Sequence, residues 1–283
     1  MDDPAALRIE GVSVGGVATT LDLPDLKLCV DMGRILEPAV ARSVVLVTHG
    51  HADHVGGLAQ HVAQRGLRRL PPATYVVPPP LVEPLERLFD VWRGMDRGAF
   101  AAELLPLSPG DEFRVRPDLV VRAFPTDHRV PSQGYLVQRR RTRLASALAG
   151  APGPEIARLR AEGADVDEEV RSSVVAVTGD TRFRALLEQS EVLAAPTLAL
   201  EATFLDDRID AAGARERGHV HLDEVRDHAA RFGCERLVLC HVSPRHALKD
   251  AQRLVRERLP ADLSARTEVF PNALEGGRLP TRA

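Results

Sequence analysis

The sequence predicts an α/β chain arranged as a four-layer αββα sandwich. Two observations carry that expectation. Strand-like runs followed by helix-like runs occur twice along the 283 residues. The residues best suited to chemistry stand just after strand-like runs, where loops at the edge of a layered sheet build sites. In the first half, 7–10, 17–21, 26–31 and 44–48 are short, β-rich and separated by Gly, Pro or Asp, as in a meander or sheet. Apolar residues at three-to-four spacing then predict helices over 55–64 and 81–93, the second bounded by Pro78-Pro79-Pro80. In the second half, strands are expected at 119–123, 134–138 and 174–178 and helices at 182–189 and 222–232. A last strand at 236–240 precedes a helix from about 247 to 259. Residues 1–270 are expected to form a single domain with a short basic insert around 139–172, and 271–283, with its glycines and proline, a loose tail.

Composition bounds the chain without naming a function. With 44% hydrophobic residues, it can bury a full core. No apolar stretch approaches the roughly twenty residues needed to cross a bilayer. Met1-Asp2-Asp3-Pro4 lacks the basic and then apolar regions of a secretory signal, so a cytoplasmic location is the expectation. Cys29, Cys234 and Cys240 are odd in number and lie in apolar runs, as reduced packing residues do. A net charge of −3 argues against a surface coated with nucleic-acid-binding charge, although a local patch would not show in that sum. Lys27 and Lys249 are the only lysines, and the other basic residues are arginines.

The densest chemistry is Thr48-His49-Gly50-His51-Ala52-Asp53-His54-Val55-Gly56-Gly57, three imidazoles and a carboxylate within six residues. Imidazole and carboxylate are donors that Zn²⁺ prefers. On an extended strand end His49 and His51 point the same way, while Asp53 and His54 lie past the turn and can face a second ion. Further donors follow later strands: His128 after 120–124, Asp180 after 174–178 and His241 after 236–240. A lone His or Asp at a strand end is more often a cap or turn residue. Recurrence at three strand ends, after so dense a first cluster, points to a shared two-metal centre with Asp180 able to bridge.

The run His49-x-His51-x-Asp53-His54, with His128, Asp180 and His241, resembles the metallo-β-lactamase superfamily. Four further stretches resemble ribonuclease Z motifs: Asp127-His128-Arg129-Val130-Pro131-Ser132-Gln133-Gly134-Tyr135, Thr178-Gly179-Asp180-Thr181-Arg182, Leu200-Glu201-Ala202-Thr203-Phe204 and His241-Val242-Ser243-Pro244-Arg245. The likeness runs from about Ile9 to Leu259. Leu205-Asp206-Asp207 and Gly218-His219-Val220-His221 bring it nearest to the short, plant-type form. Leu200 stands where many members have His, and His246 where Tyr often follows the Arg.

The resemblance implies the metallo-β-lactamase sandwich and an endonuclease that cleaves the 3′ trailer from precursor tRNA, leaving a 3′-hydroxyl tRNA and a 5′-phosphate trailer. It implies two Zn²⁺, with Mn²⁺ or Fe²⁺ able to occupy such N/O sites. His49, His51 and His128 would hold one ion, Asp53, His54 and His241 the other, and Asp180 would bridge. Asp53 would also take the proton of the attacking water, while Glu201 and His219 would protonate the leaving ribose oxygen. Ser132, Ser243 and Arg245 are candidates for phosphate binding. Arg139, Arg140, Arg141 and Arg143 are candidates for RNA contact in an arm that, in this family, serves the partner subunit of a homodimer. The insert here is shorter than the long bacterial arm. In the plainer alternative Glu201 is a salt-bridge partner and His219 or His221 a helix N-cap before 222–232; His221 stands behind the site at most, and His61, His228 and His246 are read as structural residues. The runner-up is a phosphodiesterase of the same fold acting on a small or cyclic nucleotide. A non-catalytic RNA-binding scaffold and a lactamase or thioesterase are more distant readings, since they explain only part of the motif set.

Overall fold

The computed structural model describes residues 7–96, 100–271 and 277–278. Two seven-stranded sheets pack face to face. The first holds β1 (Glu10–Val14), β2 (Ala18–Leu23), β3 (Leu28–Val30), β4 (Val44–Leu46), β5 (Ala73–Val77) and β6 (Ala102–Pro106) side by side in chain order. The second runs from β7 (Glu112–Arg116) through β8 (Leu119–Pro125), β9 (Gln133–Leu144), β10 (Asp167–Val177), β11 (Thr197–Glu201) and β12 (Arg236–Cys240) to β13 (Thr267–Val269). The short β14 (Gly277–Arg278) adds to the first sheet beyond β1.

Strand periodicity builds the layers. In β4, Val44 and Leu46 face the other sheet. Val45 and its neighbour Val47 face outward, against Leu58 and Val62 of α2 (Leu58–Leu67) and Leu85 and Phe89 of α3 (Val82–Asp96). In β12, Val238 and Cys240 point inward while Leu237 and Leu239 meet Val225 of α7 (Leu222–Asp227) and Leu254 and Val255 of α8 (Leu248–Arg258). Each such side chain, removed from water, contributes about 2 kcal/mol. The result is the expected αββα order, helix layers outside and one apolar seam between the sheets.

Parallel pairing sets where function can sit. β3 to β6 are parallel neighbours, as are β10 to β13. Their C-terminal ends therefore share an edge, and the loops leaving them gather there. The sheets are tied at this edge by isolated bridges between Val14 and Val242 and between His49 and Ser132.

Several elements differ from the sequence expectation, for local reasons. The first strand begins at Glu10 rather than ending there, although Leu7 and Ile9 are still buried. The helix expected over 55–64 is split into α1 (Ala52–Val55) and α2 around Gly56-Gly57. The helix expected over 182–189 is a 3-10 turn, Phe183–Leu186, followed by α5 (Ser190–Leu193); so short a run cannot propagate, and burial of Phe183 and Leu186 decides its path. The helix expected over 222–232 ends as α7 at Asp227, with a 3-10 turn, Ala229–Arg231, beyond it. The sequence reading lacks β5, whose five residues are hidden between proline pairs, and the half-exposed β6 and β7, whose apolar alternation is weak. It also lacks α6 (Ala211–Arg217). The tail expected to be loose contributes β14, with Glu10 opposite Arg278; residues 272–276 and 279–283 lie outside the described residues.

β9 and β10 are much longer than the strands expected at 134–138 and 174–178. Beyond the reach of β8, residues 140–144 and 167–171 continue as a two-stranded ribbon, with α4 (Gly153–Ala161) in its connecting segment. Polar residues cover both its faces, so it carries no period-2 apolar signal. Cross-strand pairs hold it instead: Arg143 Nε donates to Glu168 at 2.7 Å and Arg140 pairs with Glu169.

Candidate active site

All seven sequence-predicted metal-ligand candidates converge at the shared strand edge. β4 delivers His49, and the chain turns at once into α1, whose N-cap is His51 and whose first turn holds Asp53 and His54. Gly33 lets this happen: a Cβ there would lie 1.8 Å from the Asp53 carbonyl oxygen, so only glycine admits the loop after β3 against α1. His128 follows β8, Asp180 follows β10 and His241 follows β12.

Their donor atoms form two groups joined by Asp180. In the first, Nε2 of His49 lies 3.1 Å from Nδ1 of His51, which is 3.3 Å from Nε2 of His128. Oδ2 of Asp180 is 3.7 Å from the His49 donor and 3.9 Å from the His128 donor. In the second, Nε2 of His241 is 3.2 Å from Oδ2 of Asp53 and 3.5 Å from Asp180, and Nε2 of His54 is 3.4 Å from Asp180. Ligands of a tetrahedral ion at 2.0–2.1 Å stand roughly 3.3 Å apart, so both groups have the size of a metal shell. Nε2 of His54 and Oδ1 of Asp180 are buried without a hydrogen bond, as expected of donors reserved for a cation. The residues present therefore fit a pair of divalent ions.

Protonation states agree with that fit. Burial, then the neighbouring His54, pulls His49 down to about 2, and burial also lowers His51 and His128. Burial would raise Asp180 and Asp53, but the surrounding imidazoles, His241 first, hold both carboxyls below their ordinary range. Neutral imidazoles and ionised carboxylates are the coordinating forms. His54 differs: burial lowers it, but Asp180, Asp31 and Asp53 together lift it to about 9.

Residues behind the donors aim them. Nδ1–H of His128 donates to the Gly218 carbonyl at 2.8 Å; Gly218 has φ +85°, and a Cβ there would lie 2.7 Å from that ring nitrogen. Nδ1–H of His54 donates to Asp31 at 2.7 Å, and Asp31 also accepts the Thr48 backbone N–H at 2.7 Å. Asp31 and Thr48 are absent from the sequence candidates, although Asp31 ends a strand-like run as Asp180 does.

Glu201, at the end of β11, and His219, between α6 and α7, meet as a pair. Nδ1 of His219 lies 3.1 Å from Glu201 Oε1 and 3.9 Å from Asp180. Burial lowers the imidazole, but the Glu201 charge and hydrogen bond, then Asp180, raise it above its ordinary value. The alternative of an N-cap role belongs to the next histidine: His221 Nδ1 accepts the Asp223 N–H at 3.0 Å, and Glu224 accepts the His221 N–H at 3.1 Å.

The remaining candidates are less committed to the site. The Ser132 hydroxyl shares a 2.6 Å hydrogen bond with Thr126, and Ser243 is buried. Arg245 is exposed and makes no ion pair among the described residues. In the arm, Arg139 pairs with Asp118, Arg140 with Glu169 and Arg143 with Glu168, whereas exposed Arg141 makes no ion pair among the described residues. His61 is buried on Tyr75, away from the strand edge.

Residues 32–242 match the beta-lactamase superfamily domain. The chain is 36% identical over 260 residues to tRNase Z TRZ1 of Arabidopsis thaliana, covering 91% of this chain and 92% of that one. It is 35% identical to the chloroplastic tRNase Z TRZ2 of the same plant, over 93% of this chain and 75% of that one. The crystal structure of the short form of human tRNase Z shares the fold, with a TM-score of 0.61 at 17% identity and 96% and 98% of the two chains covered. With more than nine-tenths of its length aligned to plant tRNase Z, the chain belongs to the ribonuclease Z family of the beta-lactamase superfamily.

Proposed function

We propose that this chain is a metal-dependent endoribonuclease that removes the 3′ trailer from precursor tRNA, leaving a 3′-hydroxyl tRNA and a 5′-phosphate trailer. The observation that carries the reading is the Glu201–His219 pair standing beside the two donor groups. Metal donors alone would serve many hydrolases. A ribose 3′ oxygen leaves badly unless protonated, and a positioned imidazole is the group that protonates it.

His49, His51, His128 and Asp180 would hold one ion, and Asp53, His54, His241 and Asp180 the other. Zn²⁺ is the proposed metal because the donors are imidazole nitrogen and carboxylate oxygen. When bound, such a pair acidifies water towards neutrality and offsets charge on the phosphate oxygens. The remaining steps belong to the chain. Asp53 sits at the lip of the cluster, where its carboxylate can accept a proton from the attacking water. Glu201 holds Nδ1–H of His219, leaving Nε2–H to donate to the departing oxygen.

A homodimer in the cytosol completes the proposal. The ribbon points away from the strand edge: Arg143 lies ten residues along β9 from Gln133, roughly 30 Å at strand rise. An arm so placed cannot cover its own active site, but it can cover that of a second copy. Three buried, unpaired cysteines fit a reducing compartment. Among the described residues, no helix is long and apolar enough to cross a membrane.

Incubation of the zinc-loaded protein with a 3′-extended precursor tRNA, beside Asp53→Ala, tests the reading. Cleavage just after the discriminator nucleotide, lost in the variant, is the expected result. The internal pairing of three arm arginines favours a second reading, a phosphodiesterase for small or cyclic nucleotides. Hydrolysis of such a substrate with the precursor left intact would select it.

A further inference from the structure

Two carboxylates behind the site have the same surroundings. In the first half of the sandwich, Asp31 takes Nδ1–H of His54 directly, at 2.7 Å, and the Thr48 hydroxyl at 2.8 Å. That hydroxyl oxygen lies 3.0 Å from Nδ1 of His49. In the second half, Glu201 pairs with Nδ1 of His219 at 3.1 Å and takes the Thr203 hydroxyl at 3.0 Å. The Thr203 oxygen lies 2.9 Å from Nδ1 of His241 and, more distantly, 3.2 Å from Nδ1 of His219, whose proton Glu201 already takes. Thr48 and Thr203 are both buried.

Proton counting fixes the direction of each chain. A hydroxyl has one proton to give, and an ionised carboxylate can only accept. The Thr48 proton therefore goes to Asp31 and the Thr203 proton to Glu201. Each threonine oxygen is left as an acceptor, and the ring nitrogen facing it must carry hydrogen. His49 and His241 then each hold a proton on Nδ1, which leaves Nε2 as the nitrogen that faces the donor groups and can ligate an ion.

We propose that Thr48 and Thr203 are paired positioning residues, each relaying a buried carboxylate to the Nδ1–H of one histidine and so fixing the metal-binding tautomer on opposite sides of the centre. Thr48 acts on the group containing His49, and Thr203 on the group containing His241. Glu201 consequently has two duties, one towards the acid His219 and one, through Thr203, towards the metal. Neither threonine contacts substrate or ion.

The inference rests on the two-ion centre proposed above, but its test needs no RNA. In the metal-free wild type, long-range ¹⁵N–¹H spectra of the imidazoles should show a proton on Nδ1 of both His49 and His241, whatever Nε2 of His241 carries against Asp53, 3.2 Å away. A bare Nδ1 on either ring overturns the relay, whether or not any variant folds. Competition with a chelator then measures Zn²⁺ affinity. Thr48→Val should weaken one ion by about 10–100-fold, the loss usual when a metal-ligating histidine loses its supporting partner, with the zinc-induced shift at His49 affected and that at His241 kept. Thr203→Val should do the reverse, and Thr48→Ser and Thr203→Ser should restore binding. Valine variants that bind both ions as the wild type does, or serine variants as weak as the valine ones, overturn the proposal. A wild type that takes up no zinc would sink the metal-centre reading instead, while the ring-proton pattern would still decide the relay.

Discussion

Oε1 of Glu201 lies 3.1 Å from Nδ1 of His219, and the same carboxylate accepts the backbone N–H groups of Thr181, Val220 and Thr203. Both of its oxygens therefore face donors. An amide cannot satisfy that arrangement, because either orientation turns its NH₂ towards a backbone N–H. Glu201→Gln is expected to lower precursor cleavage by about 10²–10⁴-fold, the usual contribution of a positioned acid. With zinc saturating, so that any effect through Thr203 on metal affinity is removed, hydrolysis of bis(p-nitrophenyl) phosphate should fall far less, since nitrophenolate leaves without a proton. Equal losses on both substrates would mean that the pair supports the site and does not act as an acid.

Metal removal should loosen the site and spare the fold. The apolar seam between the sheets, from Leu21 and Val30 across to Val137 and Val238, contains none of the donor residues. Chelated protein is expected to keep its far-ultraviolet dichroism. Readdition of zinc at about 100 times its dissociation constant should stabilise it by about 2.7 kcal/mol for each ion bound. For a chain of 283 residues that is a rise in Tm of roughly 4–5 °C per ion. A collapse of the dichroism on chelation would instead make the metal part of the folding core.

The layers and the donor set were legible because each leaves a local mark. Val44 to Val47 and Leu237 to Cys240 alternate between seam and helix layer, and dense β-branched runs ending in His or Asp show where strands stop. What stayed hidden is carried by distance in sequence. Asp31 becomes a partner of His54 only after β3 and β4 pair, 23 residues apart. Thr203 reads as an ordinary residue in an apolar stretch until β11 and β12 bring it to His241, 38 residues on. The ribbon was missed for the opposite reason: its pairing relies on charges such as Arg143 and Glu168, which in one dimension look like a solvated loop.

The arm arginines are not equivalent. Arg139 spends its charge on Asp118, at 2.9 Å, whereas Arg141 is exposed and makes no ion pair among the described residues. If the ribbon meets RNA phosphates, Arg141→Ala should weaken precursor binding and lower the slope of log K against log salt by about one contact. Arg139→Ala should leave the slope nearly unchanged. Filter-binding titrations across salt concentrations would read both, and identical slopes for Arg141→Ala and wild type would remove the ribbon from the RNA interface.

His61 gives the fold an acid sensitivity separate from the site. Its ring is buried, with Nδ1 2.7 Å from the Tyr75 hydroxyl and Nε2 3.3 Å from the Ala39 carbonyl. Burial, reinforced by the charge of Arg65, pulls it down to about 4. Between that value and the ordinary 6.5, the unfolded chain takes up a proton that the folded one refuses. The stability is therefore intact above pH 6.5 and is lost as pH falls towards 4, by an amount on the order of 3 kcal/mol. Urea midpoints of the metal-free protein at pH 7, 6, 5 and 4 should fall more steeply for the wild type than for His61→Gln, which has nothing to titrate there. The variant will be the less stable protein at pH 7, having lost a packed ring, so the difference in slope carries the test. Parallel curves would show that His61 takes its proton as readily folded as unfolded, and that acid unfolding begins elsewhere.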